Sequence, residues 1–134
     1  MIGGLRIPIG ATVLGIGIDV VAIDRFVAAL DRTPGLRDRL FAIPEQLTAT
    51  GARRSAASLA ARFAVKEAVA KVLGVPAGLE WHHASVVSQP SGRPALVVTD
   101  TVADFAARLG IVSWQLSISH DAGIAAAVVL AIGA

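Results

Sequence analysis

The segment Arg62-Phe63-Ala64-Val65-Lys66-Glu67-Ala68-Val69-Ala70-Lys71 sets four ionised groups among apolar residues, and its spacing constrains the fold more than any other stretch. Leu59, Phe63, Val69 or Ala70, and Leu73 recur at helical intervals. Ser55 and Ser58 are candidate N-caps, and Gly74 followed by Pro76 supplies a stop. Glu67 and Lys71 lie four apart with the acid first, the favourable order on a helix. Arg62 and Lys66 also lie four apart, but these like charges oppose helix formation weakly unless an anion sits between them. One carboxylate among three cations suits a phosphate–metal site, the acid holding the cation and the bases holding phosphate oxygens. Taken alone, such a run reads first as an ordinary solvated helix face. The rest of the chain shifts that reading.

At 134 residues the chain accommodates one domain, with residues 1–13 as an N-terminal extension and residues 14–134 as the folded unit. Hydrophobic residues make up 54% and mean hydropathy is +0.68, more apolar surface than one small domain readily hides, which points to burial between subunits. Cysteine is absent, which excludes disulfides and thiolate chemistry and fits a cytoplasmic protein. The longest apolar run, Ala122 to Ala134, holds 13 residues. A membrane-crossing helix needs about 20, so no membrane span is expected. Met1 to Val13 lacks the continuous apolar core and cleavage site of a secretory leader.

Charge is unevenly placed. Net charge is +2, yet Arg25 to Lys71 carries nine bases against four acids. A basic half implies an anionic partner for one face. Nucleic acid fits poorly, because aromatics total 4% and do not interleave the bases. An acidic protein or a polyphosphate fits better.

Leu14-Gly15-Ile16-Gly17-Ile18-Asp19-Val20-Val21 alternates with period two and predicts a strand. Leu14, Ile16, Ile18 and Val20 form one face; Gly15, Gly17 and Asp19 form the other. Bare glycine on a strand face marks close approach of another backbone or a ligand, and that face ends in a carboxylate. Asp19 reads equally well as a strand-end residue bonding a nearby N–H. Gly15 and Gly17 lack the third glycine of a dinucleotide fingerprint. Ile23 to Leu30 predicts a short amphipathic helix, followed by a charged, turn-rich stretch to Pro44 and a loop or frayed helix over Gln46 to Ser55. Strands are predicted at 84–88 and 95–98 around a Gln89–Pro94 turn, a helix at 101–109, and strands at 114–119 and 124–131 joined by a tight turn at His120–Gly123. His120, at a strand end, is well placed to face a ligand as a base near neutral pH, or is simply a surface turn residue. His82 and His83 show no metal-ligand spacing.

Together, Gly15-Ile16-Gly17-Ile18-Asp19-Val20, Arg62-Phe63-Ala64-Val65-Lys66-Glu67-Ala68 with Lys71, Gly92-Arg93-Pro94 and Ser117-Ile118-Ser119-His120-Asp121 resemble the holo-[acyl-carrier-protein] synthases. These are the short 4'-phosphopantetheinyl transferases, and the motifs match in order and spacing over Leu14 to Leu130. The resemblance implies an α+β fold with a small antiparallel sheet and packed helices, assembled as a trimer. It implies Asp19 and Glu67 as the two carboxylate ligands of Mg2+, and Lys71 beside the phosphates of coenzyme A. Arg62 is implied as a coenzyme contact and Lys66 lies in the same motif, with packing or a subunit contact as the other reading of either. Gly92-Arg93-Pro94 is implied as a loop reaching coenzyme A held mainly by a neighbouring subunit. His120 is implied near the substrate, as base or as contact. Residues before Leu14 extend beyond the usual family start, and Pro44 to Arg54 departs from the family pattern.

The activity so implied is transfer of the phosphopantetheine group of coenzyme A to a serine of an apo acyl carrier protein, Mg2+-dependent, releasing 3',5'-ADP. Glu67, Lys71 and His120 are the implied catalytic residues, and the carrier, typically acidic, would dock on the Arg25–Arg54 region. A non-catalytic coenzyme A or nucleotide-binding oligomer is the alternative, and a structural oligomer with a salt-bridged helix a third reading.

Overall fold

A computed structural model describes residues 6–134. Residues 1–5 of the expected extension lie outside the described residues, and Arg6 to Ala11 lead through a Pro8–Ala11 turn into the first strand. The order of elements is β1 (Thr12–Ala22), α1 (Ile23–Arg32), α2 (Leu36–Leu40), a 3-10 turn (Ile43–Gln46), α3 (Ala56–Val72), a second 3-10 turn (Trp81–His83), β2 (Ala84–Ser88), β3 (Pro94–Val98), α4 (Asp100–Arg108), β4 (Ile111–Asp121) and β5 (Ile124–Gly133). β1, β5 and β4 form one antiparallel sheet in that order, and β2 pairs with β3 in a separate hairpin. This is the expected α+β arrangement.

α3 is the central element, packed across β1 and β5. Ser55 Oγ accepts the amide of Ser58 at 3.1 Å and caps its start. Gly74, at φ +80°, takes the left-handed conformation that ends it. The inner sheet face carries Ala127, Val129 and Ala131 of β5 and Leu116 of β4, all buried against Ala64, Val65 and Ala68 of α3. Gly17 explains how close the layers come: a Cβ there would lie 2.1 Å from the Ala68 carbonyl oxygen. The bare face of β1 therefore receives a helix backbone, as its glycines predict. A second core cluster, Phe26, Leu40, Phe41, Leu59, Ala60, Ala61 and Ala125, seats α1 and α2 on the other end of α3.

Two readings of the sequence change. The turn-rich stretch contains α2, entered through Gly35 at φ +83°. The last two strands are longer than predicted, at 11 and 10 residues, because each lines the other along its whole length. The longest apolar run, near the C-terminus, supplies β5, the centre of its own sheet. β1 carries a continuous row of exposed apolar side chains, Leu14, Ile16, Ile18 and Val20, which face outward at 47–67% exposure.

Candidate active site

β1 and α3 bring Asp19, Glu67 and Lys71 together. Asp19 follows Gly15 and Gly17 on the inner face of β1, so the close approach that the glycines permit sets its carboxylate beside α3. Lys71 Nζ donates to Asp19 Oδ1 and to the Ile18 carbonyl, each at 2.9 Å. The helix-local Glu67–Lys71 pairing expected from the sequence thus gives way to a link between α3 and β1. Glu67 stands one helical turn before Lys71. Burial, and then the charge of Asp19, hold its carboxyl above the ordinary glutamate range, against a smaller opposing pull from Lys71. Asp19 and Glu67 line one cavity of about 560 Å3 with Arg25, Phe26, Leu40, Phe63 and Trp81. Phe63 stacks on Phe26 at 5.4 Å and meets Trp81 at 5.6 Å, so one wall of the cavity is aromatic.

Two carboxylates facing one cavity, one of them raised in pKa by burial and then by its neighbour, form a pair that a cation would relieve, and their oxygens suit a hard divalent ion. Among the described residues no group of three or more His, Cys, Asp or Glu could hold a metal by itself. Any ion here takes its remaining ligands from water and substrate oxygens, as Mg2+ at phosphate sites does.

His120 lies on the same inner sheet face, at the exposed rim. Asp19 shares a cross-strand row with Ala127 and Ile118, and the next row on that face is Val21, Ala125 and His120. The turn after it closes through Ala122 and Gly123, both at positive φ, with Asp121 Oδ1 accepting the Ala122 amide at 2.9 Å. Gly92 and Arg93 occupy the β2–β3 turn, with Gly92 at φ +86°, and Pro94 opens β3. Arg93 lines a different cavity, with Arg6, Trp114 and Gln115. Within one chain, this loop does not join the Asp19–Glu67 cavity.

Arg62 does not join it either. Nine residues before Lys71, it faces about 180° away around α3. Its guanidinium is buried, donating to Ser58 Oγ at 3.1 Å and Ser88 Oγ at 3.3 Å, while Nε has no partner among the described residues. Arg54 approaches the same two hydroxyls at 3.4 and 3.2 Å. Burial, and then Arg54, lower the Arg62 pKa to about 10 against the pull of Glu45. The unmet Nε and the neighbouring like charge make this a second place where an anion would be welcome.

Lys66 is fully buried on Glu45, with Nζ–Oε2 at 3.0 Å. Of the two readings of Lys66, a cation of the site or a packing residue, this geometry fits the second, while its partner Glu45 carries no such signal in the sequence. Trp81 and Phe26 were also missed as cavity walls, since an isolated aromatic residue carries no mark of the pocket it lines. His82 and His83 are held structurally, on the Asp38 carbonyl at 2.6 Å and on Thr101 Oγ1 at 2.8 Å. No helix among the described residues is long and apolar enough to cross a membrane.

The family model of the 4'-phosphopantetheinyl transferase superfamily matches residues 15–129. A holo-[acyl-carrier-protein] synthase of Streptomyces coelicolor is 61% identical over 94 residues, covering 70% of this chain and 76% of that protein. The crystal structure of a holo-acyl-carrier-protein synthase from Plasmodium yoelii superposes with a TM-score of 0.80 at 26% identity, over 93% of this chain and 98% of that one. The Helicobacter pylori holo-[acyl-carrier-protein] synthase, solved in complex with coenzyme A, gives a TM-score of 0.74 at 32% identity, over 87% of this chain and 98% of that one. The chain belongs to the 4'-phosphopantetheinyl transferase superfamily and is an enzyme of the holo-[acyl-carrier-protein] synthase type.

Proposed function

We propose that the protein transfers the 4'-phosphopantetheine group of coenzyme A to a serine of an apo acyl carrier protein, dependent on Mg2+, releasing 3',5'-ADP. The observation that carries this reading is the shared Asp19–Glu67 cavity with Lys71 bonded to Asp19. Asp19 and Glu67 would hold the cation, which when bound supplies charge neutralisation to the coenzyme pyrophosphate. Lys71 stands where it can pass from Asp19 to a phosphate oxygen and offset charge that builds on the transferred group. The carrier serine oxygen forms a bond to the β-phosphorus, the bridging phosphate bond breaks, and 3',5'-ADP carries away the electron pair. The serine proton goes to Glu67, to a metal-bound water or to His120.

The assembly we infer is a homotrimer with sites between subunits. The exposed Leu14, Ile16, Ile18 and Val20 supply an apolar surface for it, and the Gly92-Arg93-Pro94 loop lies away from its own chain's cavity. In that arrangement the loop of one subunit, and Arg62 with Arg54, reach coenzyme A from across the interface. Arg25, Arg32, Arg39 and Arg53 are exposed and form the basic surface proposed for an acidic carrier. Residues 1–11 are read as an extension outside the catalytic unit, two residues shorter than the sequence suggests because Thr12 and Val13 pair with β5, and the cytoplasm as the site of action.

The test is incubation with coenzyme A, Mg2+ and an apo carrier protein, read by intact mass. A gain of one phosphopantetheine group on the carrier is expected. Mg2+-dependent coenzyme A binding without transfer would instead establish a non-catalytic binding module.

A further inference from the structure

Lys66 has its three N–H donors fully engaged inside the protein. Nζ donates to Glu45 Oε1 at 3.0 Å, to the Trp81 carbonyl at 2.8 Å and to the Ala84 carbonyl at 2.8 Å. Glu45 is engaged on both oxygens: Oε1 accepts the Ala42 amide at 3.0 Å and Oε2 the Val86 amide at 3.1 Å. The Phe41 ring closes over the ammonium at 5.6 Å. One ion pair therefore ties together the 43–46 turn, α3, the 81–83 turn and β2.

Stability alone does not account for the pair. Desolvating two charges roughly cancels their attraction, and well-packed apolar residues of similar volume serve a core as well or better. What the pair supplies is one geometry for four segments. Two of them face the cavity: Trp81 lines it with Asp19 and Glu67, and Glu67 directly follows Lys66 on α3. The backbone of Trp81 is gripped by Lys66 while its ring meets Phe63.

We propose that Glu45 and Lys66 are positioning residues for the transfer site, holding Trp81 in the cavity wall and fixing the rotation of α3 that turns Glu67 toward Asp19. This rests on reading the Asp19–Glu67 cavity as the transfer site. The pair touches no substrate and acts through Trp81 and Glu67.

The experiment uses Trp114→Phe as background, which leaves Trp81 as the sole tryptophan of the chain's two. The double variant Glu45→Gln/Lys66→Met removes both charges at similar volume, and Lys66→Arg keeps the charge but not the compact three-donor fit. Both are expected to lower kcat per folded subunit by about tenfold or more while KM for coenzyme A changes little. Trp81 emission should shift to the red and become more open to acrylamide quenching. The fluorescence needs no turnover, so a parent protein that fails to transfer counts against the functional reading alone. Parental kcat and emission in either folded variant would overturn the proposal, as would a rise in KM at constant kcat. If the double variant does not fold, Lys66→Arg decides.

Discussion

Lys71 reaches across the α3–β1 boundary to within 2.9 Å of Asp19 Oδ1, so one of the two cavity carboxylates is already neutralised before any cation arrives. The ammonium is half exposed, and such pairs contribute about 0.2–1 kcal/mol. Removing it should release Asp19 for a cation. Lys71→Met is expected to bind Mn2+ about twofold to fivefold more tightly in the absence of coenzyme A, while transfer falls about a hundredfold. Mn2+ titration followed by electron paramagnetic resonance checks the first half. Weaker metal binding in Lys71→Met would show that the lysine supports the site rather than competes for it.

If Asp19 and Glu67 share one ion, Asp19→Ala and Glu67→Ala should each nearly abolish transfer with the fold intact. The double variant should cost little more than either single one, because groups acting as a unit are not additive. Fully additive losses in kcat/KM would separate the two carboxylates into independent roles.

Glu67 also gives the free protein a pH signature. Its carboxyl is held above the ordinary range by burial and then by Asp19, so the native state binds this proton more tightly than the unfolded chain. Stability from that group is present at acid pH and is lost as pH rises from the ordinary glutamate range through the raised native value. Glu67→Gln should therefore melt higher than the parent above that window and lose its advantage below it. Thermal melts over a pH series without divalent ions test this, and added Mg2+ should narrow the gap by favouring the ionised parent. A constant offset at every pH would remove Glu67 as the source.

His120 lies at the rim, one same-face row beyond Asp19. As the base, it should leave His120→Ala with a lower kcat, a flattened acidic limb in its pH profile and little change in KM for coenzyme A. A variant that mainly raises that KM would make His120 a binding contact.

Much of this arrangement was legible in the chain. The glycine face of β1 announced a close neighbour, and the Ser55 cap and Gly74 stop bounded α3 to within a residue or two. The alternation did not tell which face of β1 was inside, because an exposed row of isoleucines reads like a buried one until the strand order is known. Strand order was likewise invisible, and with it the central place of β5. The Glu45–Lys66 pair spans 21 residues and depends on how the 41–46 segment folds back on α3. Helical spacing put Lys66 beside Glu67 in sequence, but the two face different partners.

A shared-site trimer makes a prediction by complementation. Glu67→Ala subunits mixed with Arg93→Ala subunits, each inactive alone, should regain part of the transfer activity, since one class of mixed interface holds an intact cavity and an intact loop. Ile18→Asp, placed on the exposed face of β1, should yield monomers with little activity. Light scattering at monomer mass in an active parent sample, or no rescue despite proven subunit exchange, would sink the model.

β1 divides its residues by parity. Odd positions from Gly15 to Asp19 face α3 and carry the carboxylate, while even positions from Ile16 to Val20 face outward. Such a strand tolerates a change of side chain better than a change of length. Inserting or deleting one residue between Gly15 and Asp19 would exchange the two faces, pressing an isoleucine side chain against the Ala68 backbone and casting the carboxylate outside. Spacing along this strand thus matters in whole pairs of residues, and a frame slip of one would unmake the cavity and the outer surface together.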